Sequence, residues 1–148
     1  RLTKDFVGDN NVAVILGDNV FQESMLEYAE EFVDDLEHEC YLFLKKVENP
    51  EAFGIAWLDE NGSIISMEEK PSNPKSDLCV TGLYVYDNYV WNVIKQLKPS
   101  SRGELEITDV NNWYVKNGLM KFKELKGFWS DAGTPDSLAQ ATQLVRNR

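Results

Sequence analysis

Two aspartates stand where a carboxylate can hold a metal ion. Asp18 follows the apolar run Val12 to Leu16 and Gly17, and Asp131 lies between Phe128-Trp129 and a predicted helix start. Open α/β sheets bind ligands at the carboxyl ends of their strands. Mg²⁺ is commonly held by one or two carboxylates together with substrate phosphates. The pair therefore predicts a Mg²⁺ site that is shared with a phosphate, although Gly-Asp-Asn is also ordinary turn chemistry.

Two cations in predicted loops are candidates for binding that phosphate. Lys70 follows Glu68-Glu69 at a strand end, and Arg102 lies in the loop from Ser100 to Gly103. If both turn inward they form a phosphate clamp, because arginine offers a planar fork of donors and lysine a compact charge. The alternative for each is a lone surface cation, and the spacing leaves both open.

Other catalytic chemistries have little support in the sequence. No two of the nine glycines are closer than six residues apart, so a GxGxxG loop and a P-loop are both absent. The single histidine, His38, has no serine or cysteine nucleophile near it in sequence and is predicted to be a surface residue near a helix C-terminus. Cys40 and Cys79 stand alone in apolar runs, which predicts buried free thiols and disfavours a zinc site.

Composition limits the classes of partner. The chain has 148 residues, of which 43% are apolar, enough for the core of one domain over residues 1–148. Its net charge of -10 disfavours nucleic acid and anionic membranes. No apolar run is long enough to span a membrane and the amino terminus has no signal-peptide stretch, so a soluble, cytoplasmic protein is predicted. A first residue of arginine instead of methionine suggests that an upstream part was removed or never included.

Short apolar runs alternate with amphipathic stretches, a pattern that predicts an α/β layer fold. Val12 to Leu16 is predicted to be a strand buried on both faces. The other predicted strands are Cys40 to Val47, a hairpin of Phe53 to Trp57 with Ser63 to Met67, Cys79 to Tyr86, and Leu119 to Leu125. Helices are predicted over Ser24 to His38, over Val90 to Leu97, from an N-cap at Thr108, and from an N-cap at Thr134 followed by Pro135.

The predicted helix from Ser24 to His38 has two contrasting faces. Ser24 and Glu27 have the spacing of a capping box. The apolar face is predicted to contain Met25, Ala29, Phe32, Val33 and Leu36. The acidic residues are predicted to form a solvated surface on the opposite face: Glu30, Glu31, Asp34 and Asp35.

Six motifs occur in one order from about Phe6 to the end of the chain. They are LGDNVF (Leu16 to Phe21), FGI (Phe53 to Ile55), EEKP (Glu68 to Pro71), VTGLYVYD (Val80 to Asp87), SRGELEITD (Ser101 to Asp109) and WSDAGT (Trp129 to Thr134). Together they resemble the glucose-1-phosphate thymidylyltransferases, sugar nucleotidyltransferases that are also called dTDP-glucose pyrophosphorylases.

The resemblance implies a fold, a reaction and residue roles. The fold would be a truncated Rossmann-like nucleotidyltransferase fold, a mixed sheet with a small β-hairpin and flanking helices. In the reaction, the phosphate of a sugar 1-phosphate attacks the α-phosphate of dTTP to give dTDP-sugar and pyrophosphate. By the resemblance, Asp18 and Asp131 would hold Mg²⁺, Lys70 and Arg102 the sugar phosphate, and Glu69 and the Gly54 backbone the sugar hydroxyls, while Val80 and Tyr84 would wall the pocket.

The sequence also departs from that family. The family's glycine-rich nucleotide loop is not in this chain, so we expect only the carboxyl-terminal sugar-phosphate and metal part, with a nucleoside triphosphate bound if the missing half is supplied. The alternative is a non-catalytic sugar-phosphate-binding or assembly module. Smaller departures are Phe53 in place of tyrosine, Gln22-Glu23 in place of tyrosine-glycine, and Ala132 in place of threonine.

The missing segment supplies central strands in the family. Its absence would leave the strand Val12 to Leu16 with an unpaired apolar edge. We therefore expect that edge to pair with another copy of the chain in a homodimer.

Overall fold

The fold is built on a mixed six-stranded sheet. The computed structural model describes residues 3–35, 39–100 and 103–146. Its strands are β1 (Val12–Ile15), β2 (Asn19–Phe21), β3 (Cys40–Lys46), β4 (Gly54–Leu58), β5 (Ile64–Glu69), β6 (Leu78–Tyr86), β7 (Met120–Glu124) and β8 (Trp129–Asp131). Its α-helices are α1 (Lys4–Val7), α2 (Leu26–Asp34), α3 (Val90–Gln96), α4 (Ile107–Lys116) and α5 (Pro135–Arg146).

Strand β6 is the centre of the sheet. Strand β3 pairs along one of its edges, and β1 and β4 share the other edge. Strand β5 continues the sheet beyond β4, and β7 continues it beyond β3 as the single parallel pairing of this sheet in the described part of the chain. Strands β2 and β8 form a separate antiparallel pair. The predicted α/β class with a mixed sheet, a hairpin and flanking helices is therefore confirmed.

Helices cover both faces of the sheet. On one face α3 and α4 pack against the apolar side of β6, where the buried Tyr86 hydroxyl donates to Asn111 Oδ1 at 2.6 Å. On the other face Phe32 of α2 packs edge-on against Tyr41, with ring centroids 5.1 Å apart. Strands β3 and β6 lie between these two layers, which is why both are almost continuously apolar.

One prediction about strand β1 is wrong. It was expected to be buried on both faces, but Ile15 is 60% exposed and Leu16 45% exposed. Val12 and Val14 face the α3 and α4 side, whereas Ala13 and Ile15 alternate to the other face, where no described element covers them. No described strand pairs with the outer edge of β1.

Helix α2 is shorter than predicted. It begins at Leu26 after Met25, so the predicted capping box of Ser24 and Glu27 is wrong, and Ser24 Oγ only accepts a long 3.4 Å bond from the Leu26 N–H. Phe32 is its buried residue, while Val33 is 72% exposed, so the predicted apolar face is wrong at Val33. Leu36 and His38 lie outside the described residues.

The acidic side of α2 is not simply solvated. Glu31 forms salt bridges to Lys121 at 2.9 Å and Lys123 at 2.8 Å. Asp35 accepts bonds from the Tyr41 hydroxyl at 2.5 Å and Lys121 Nζ at 3.0 Å. For Glu31 and Asp35 the predicted solvated surface is therefore wrong, because both carboxylates fasten α2 to strands β3 and β7.

The two predicted helix starts have different outcomes. Helix α4 begins at Ile107 after Glu106, so Thr108 is a buried residue of its first turn and not its N-cap. Helix α5 begins at Pro135, and Thr134 Oγ1 accepts a bond from the Ser137 N–H at 3.2 Å, which confirms Thr134 as the cap. Across the described residues, no helix has the length and apolar character needed to cross a bilayer.

Candidate active site

The two-stranded sheet brings the two predicted aspartates together. In the β2–β8 register Asn19 faces Asp131 and Phe21 faces Trp129. The Ala132 N–H donates to the Asp18 carbonyl at 2.7 Å, which extends the pairing by one bond beyond the strands. Residues 18 and 131 are therefore neighbours across this ladder although they are far apart in sequence.

Both carboxylates approach Gly133. A Cβ atom built on Gly133 would lie 3.0 Å from Asp131 Oδ1 and 3.9 Å from Asp18 Oδ2. The Gly133 N–H donates to Asp131 Oδ1 at 3.0 Å. Glycine at this position avoids a close contact between a Cβ atom and Asp131 Oδ1.

The chemistry of this donor pair fits Mg²⁺. Among the described residues there is no group of three or more histidine, cysteine or acidic side chains that could enclose a metal ion. Two carboxylates are nevertheless the usual protein share of a Mg²⁺ site, whose other ligands are waters and substrate phosphates. Asp18 and Asp131 are the residues that would hold the ion.

A cavity of about 250 Å³ opens beside Asp131 at the strand ends. Among the residues that line this strand-end cavity are Phe53, Gly54, Glu69, Lys70, Val80, Tyr84 and Asp131. All the described residues that the resemblance assigned to a sugar pocket therefore share one cavity. Its volume lies just below the range of drug-sized ligand pockets, as expected for a smaller ligand. Arg102, the other predicted phosphate ligand, lies outside the described residues.

Glu69 is held in the strand-end cavity by Thr108, a residue that was predicted to cap a helix. The Thr108 hydroxyl donates to Glu69 Oε2 at 2.9 Å. A Cβ on Gly54 would lie 3.1 Å from that same Oε2 and 3.4 Å from Thr108 Oγ1. Glycine at position 54 thus allows the Glu69–Thr108 pair to approach strand β4 closely.

Lys70 has an unusual backbone conformation. Its φ of 45° places its backbone in the left-handed region, which residues other than glycine rarely adopt. The Lys70 N–H donates to the Phe53 carbonyl at 2.9 Å, so the conformation is fixed at the end of the β4–β5 hairpin. Strained residues of this kind cluster at ligand sites.

Burial disfavours ionisation of the Tyr84 phenol in this cavity and of the two cysteine thiols of the main sheet. Burial, together with the nearby Glu69 carboxylate, raises the pKa of Tyr84 to about 12. Burial likewise raises the pKa of Cys79 to about 12 and that of Cys40 well above its ordinary value. Both cysteines are buried and free, as predicted.

Three polar residues that were not predicted to have a role at the site bind the loop before β8, from Leu125 to Phe128. Lys45 Nζ donates to the carbonyls of Leu125, Lys126 and Gly127 at 3.1, 3.2 and 2.8 Å. Glu23 Oε1 accepts a bond from the Gly127 N–H. Gln22 Oε1 accepts from the Phe128 N–H at 2.8 Å. Gln22 and Glu23 are the residues noted as departures from the family, and here they position β8.

The other two departures leave the site intact. Phe53 packs edge-on against Trp129, with ring centroids 5.7 Å apart, and lines the strand-end cavity. Ala132 contributes its backbone N–H to the Asp18 carbonyl, which any residue other than proline can do.

Comparisons of this chain with known proteins agree on one family. Residues 1–148 match the family model described as nucleotidyl transferase. The chain is 44% identical over 151 residues to a glucose-1-phosphate thymidylyltransferase of Neisseria meningitidis, a match that covers 97% of this chain and 50% of that protein. The chain spans about half the length of the curated relatives it matches.

Solved structures agree on the fold. A protein from Bacillus anthracis, provisionally assigned as a glucose-1-phosphate thymidylyltransferase and solved in complex with sucrose, is 49% identical with a TM-score of 0.91, covering 99% of this chain and 59% of that one. A UDP-glucose pyrophosphorylase complexed with UDP-glucose is 23% identical with a TM-score of 0.82, covering 99% of this chain and 60% of that one. These likenesses confirm the predicted Rossmann-like nucleotidyltransferase fold.

Replacing Lys45 with methionine is expected to loosen the loop before β8. The substitution keeps an unbranched apolar side chain, one heavy atom shorter, but leaves three carbonyls without their charged donor, so the free energy of unfolding should fall by about 1.5–3 kcal/mol. Urea unfolding measures that loss, and hydrogen exchange should be faster at the Gln22 and Phe128 N–H groups. Lys46→Met, at the exposed next position of β3, is the matched control. Equal losses in both variants would refute the role of Lys45.

Stability should depend on the charge of Glu23. Its bond from the Gly127 N–H holds the pKa of Glu23 below the ordinary 4.5. A folded-state pKa below the unfolded value gives stability that is fully present above pH 4.5 and is lost as the pH falls through the folded-state pKa. The difference in unfolding free energy between wild type and Glu23→Gln should therefore be constant above pH 4.5 and shrink below it. A difference that grows on acidification would contradict this assignment.

Proposed function

The chain belongs to the nucleotidyl transferase family, and from that membership we propose that it binds a sugar 1-phosphate of the glucose 1-phosphate type for nucleotidyl transfer from dTTP. The products are dTDP-sugar and pyrophosphate. The observation that carries the proposal is the pair Asp18 and Asp131, which approach each other at Gly133, with Asp131 lining a cavity that also contains Glu69 and Lys70. This pairing places two carboxylates that can bind a metal ion beside a cavity in which Lys70 can bind a phosphate.

The reaction exchanges one phosphorus–oxygen bond for another. An oxygen of the sugar phosphate forms a bond to the α-phosphorus of dTTP. The bond from that phosphorus to the oxygen that bridges it to the β-phosphorus breaks. Pyrophosphate leaves with the electron pair of that bond. Such transfers depend mainly on positioning and on neutralising charge. When bound, Mg²⁺ supplies positive charge to phosphate oxygens that the Asp18 and Asp131 carboxylates would otherwise repel.

Each residue of the cavity has a proposed role in binding the sugar 1-phosphate. Lys70, with Arg102, donates to the oxygens of the sugar phosphate. Glu69, whose Oε2 accepts a bond from the Thr108 hydroxyl, binds sugar hydroxyls, and the Gly54 backbone adds a further contact. Val80 and the neutral phenol Tyr84 form the wall of the cavity and exclude water from the sugar.

The nucleotide contacts are proposed to come from elsewhere. This chain matches about half the length of its curated relatives. We assign to it the part of the active site that binds sugar phosphate and metal. The nucleoside triphosphate is bound when a complementary nucleotide-binding half is present.

Binding measurements test this division of the site. Isothermal titration with glucose 1-phosphate and Mg²⁺ should give binding to wild type, loss of binding in Asp131→Ala, and an affinity at least about tenfold lower in Lys70→Ala because a charged hydrogen bond is removed. Asp77→Ala and Lys98→Ala, at exposed positions outside the strand-end cavity, are the matched controls.

The nucleotide arm of the titration has its own outcomes. We expect no binding of dTTP by this chain alone. Binding of dTTP that depends on Asp131 would contradict the proposed half-site and indicate a complete one. Binding of neither ligand would instead favour a non-catalytic assembly module.

We also propose that the outer edge of β1 pairs with a second copy of the chain. The Leu16 N–H donates inward to the Gly82 carbonyl at 2.8 Å, so the antiparallel alternation directs the N–H groups of Ala13 and Ile15 outward. Both side chains at these positions are exposed as well. An open strand edge flanked by apolar side chains favours pairing between copies.

Sedimentation velocity should therefore show a dimer at micromolar concentration. Ile15→Lys should shift the protein to the monomer, because a charge on an edge strand opposes pairing with another edge. Ile65→Lys changes another exposed isoleucine, in the edge strand β5, and should leave the dimer intact. A well-folded wild-type monomer under these conditions would overturn the dimer proposal.

A further inference from the structure

Asn19 connects three parts of the site through one side-chain amide. It is the first residue of β2, adjacent to Asp18 in sequence and opposite Asp131 in the β2–β8 register. Its Oδ1 accepts bonds from the Gly82 N–H at 2.8 Å and from Trp129 Nε1 at 2.7 Å. Its Nδ2 donates to Asp18 Oδ1 at 2.9 Å.

These partners fix which way the amide points. A backbone N–H and an indole N–H can only donate, so the atom between Gly82 and Trp129 has to be the amide oxygen. The NH₂ group is then directed at Asp18, and a flipped amide would place donors against donors. The amide thus presents a donor to the Asp18 carboxylate.

Gly82 makes this arrangement possible. A Cβ built on Gly82 would lie 2.5 Å from Asn19 Nδ2 and 2.7 Å from Asn19 Oδ1, which is closer than Cβ contacts occur. Gly82 is not among the glycines with positive φ, so space and not backbone conformation requires glycine here. The central strand β6 therefore has a gap that the Asn19 amide fills.

The bond from Asn19 gives the two carboxylate oxygens of Asp18 different roles. Oδ1 accepts the bond from Asn19, and Oδ2 is the Asp18 oxygen nearest to a Cβ built on Gly133, to which Asp131 Oδ1 is also close. Holding one oxygen restricts rotation of the carboxylate and directs the other toward the space between the two aspartates. Hydrogen bonds of this kind orient ligating carboxylates in metal sites.

We propose that Asn19, seated against Gly82, is a positioning residue that aims Asp18 Oδ2 at the metal ion shared with Asp131. This inference rests on the proposed function, which makes Asp18 and Asp131 the metal ligands. It adds a residue that acts on the ion through Asp18 and does not contact the ion. It also gives Gly82 a role in metal affinity from a strand that carries neither ligand.

Mn²⁺ titration tests the proposal without requiring activity. Mn²⁺ replaces Mg²⁺ as a paramagnetic probe, and its affinity is measured from the broadening of the Ala132 and Gly133 amide signals in ¹H–¹⁵N spectra. Asn19→Ala removes the donor to Asp18, and Gly82→Ala displaces the amide while removing no hydrogen-bonding group. Each should weaken Mn²⁺ binding by about tenfold or more.

The double variant separates positioning from general loosening. If Gly82→Ala acts through Asn19, it should cause no further loss of Mn²⁺ affinity in the Asn19→Ala background. Additive losses would contradict that coupling. Because Gly82→Ala only adds a methyl group, it also provides the measurement if Asn19→Ala does not fold.

Asn112 offers a matched control. Its side chain accepts from the Met67 N–H and donates to the Met67 carbonyl, both at 2.8 Å, and it lies outside the strand-end cavity. Asn112→Ala should therefore lower the free energy of unfolding but leave Mn²⁺ affinity unchanged. If Asn112→Ala weakens Mn²⁺ binding as much as Asn19→Ala does, the effect is general loosening and the proposal is overturned.

A metal-free measurement distinguishes failure of this inference from failure of the proposed function. The Trp129 indole N–H signal should be protected from exchange in wild type and lose that protection in Asn19→Ala. If wild type binds no Mn²⁺ even with glucose 1-phosphate present, the proposed metal site fails, and the positioning role fails with it. If wild type binds Mn²⁺ and folded Asn19→Ala and Gly82→Ala bind it equally well, only the role of Asn19 is refuted.

Discussion

The β2–β8 pairing is the constraint on which the candidate site depends. Each strand has three residues, yet their register, extended by the bond from the Ala132 N–H to the Asp18 carbonyl, makes Asp18 and Asp131 neighbours. Two carboxylates brought together without a cation repel each other, so the pairing has to be held by other bonds. The Ala132 N–H supplies one of them, to the Asp18 carbonyl, and the Gly133 N–H donates to the negative charge of the Asp131 carboxylate. Backbone geometry thus stabilises an arrangement that the side-chain charges oppose.

Such a short ladder also needs support from the main sheet. Lys45 on β3 binds three carbonyls of the loop before β8, and Asn19 binds β6 at Gly82. The two central strands thereby fix the ladder from two sides. Because β3 and β6 are buried between the helical layers, they give the carboxylates a rigid reference, as a precisely placed ligand site requires.

The elements that could be predicted are those whose burial pattern is local. Strand β3 was expected over Cys40 to Val47 and spans Cys40–Lys46, because a strand buried on both faces is a continuous apolar run. The aspartate pair could be proposed from residue type and position after strands. Strands β2 and β8 are too short for a periodic pattern, and the bonds of Lys45 and Asn19 join residues 63 to 110 positions apart. A threonine at position 108 can cap a helix or bind Glu69, and the sequence does not distinguish these two roles. Assigning its role therefore also required the fold.

The acidity of the molecule bears on how a phosphate can enter this site. The chain carries a net charge of -10, but charges beyond about 8 Å are largely screened at physiological ionic strength. Under the proposed function, a phosphate in the strand-end cavity meets the carboxylates of Glu69 and Asp131 and the cation Lys70, with Asp18 next to Asp131. Under the proposed function, the two aspartates favour phosphate only while they share a divalent cation with it. Metal and sugar phosphate then raise each other's affinity by the same factor, because coupling between two binding events is reciprocal.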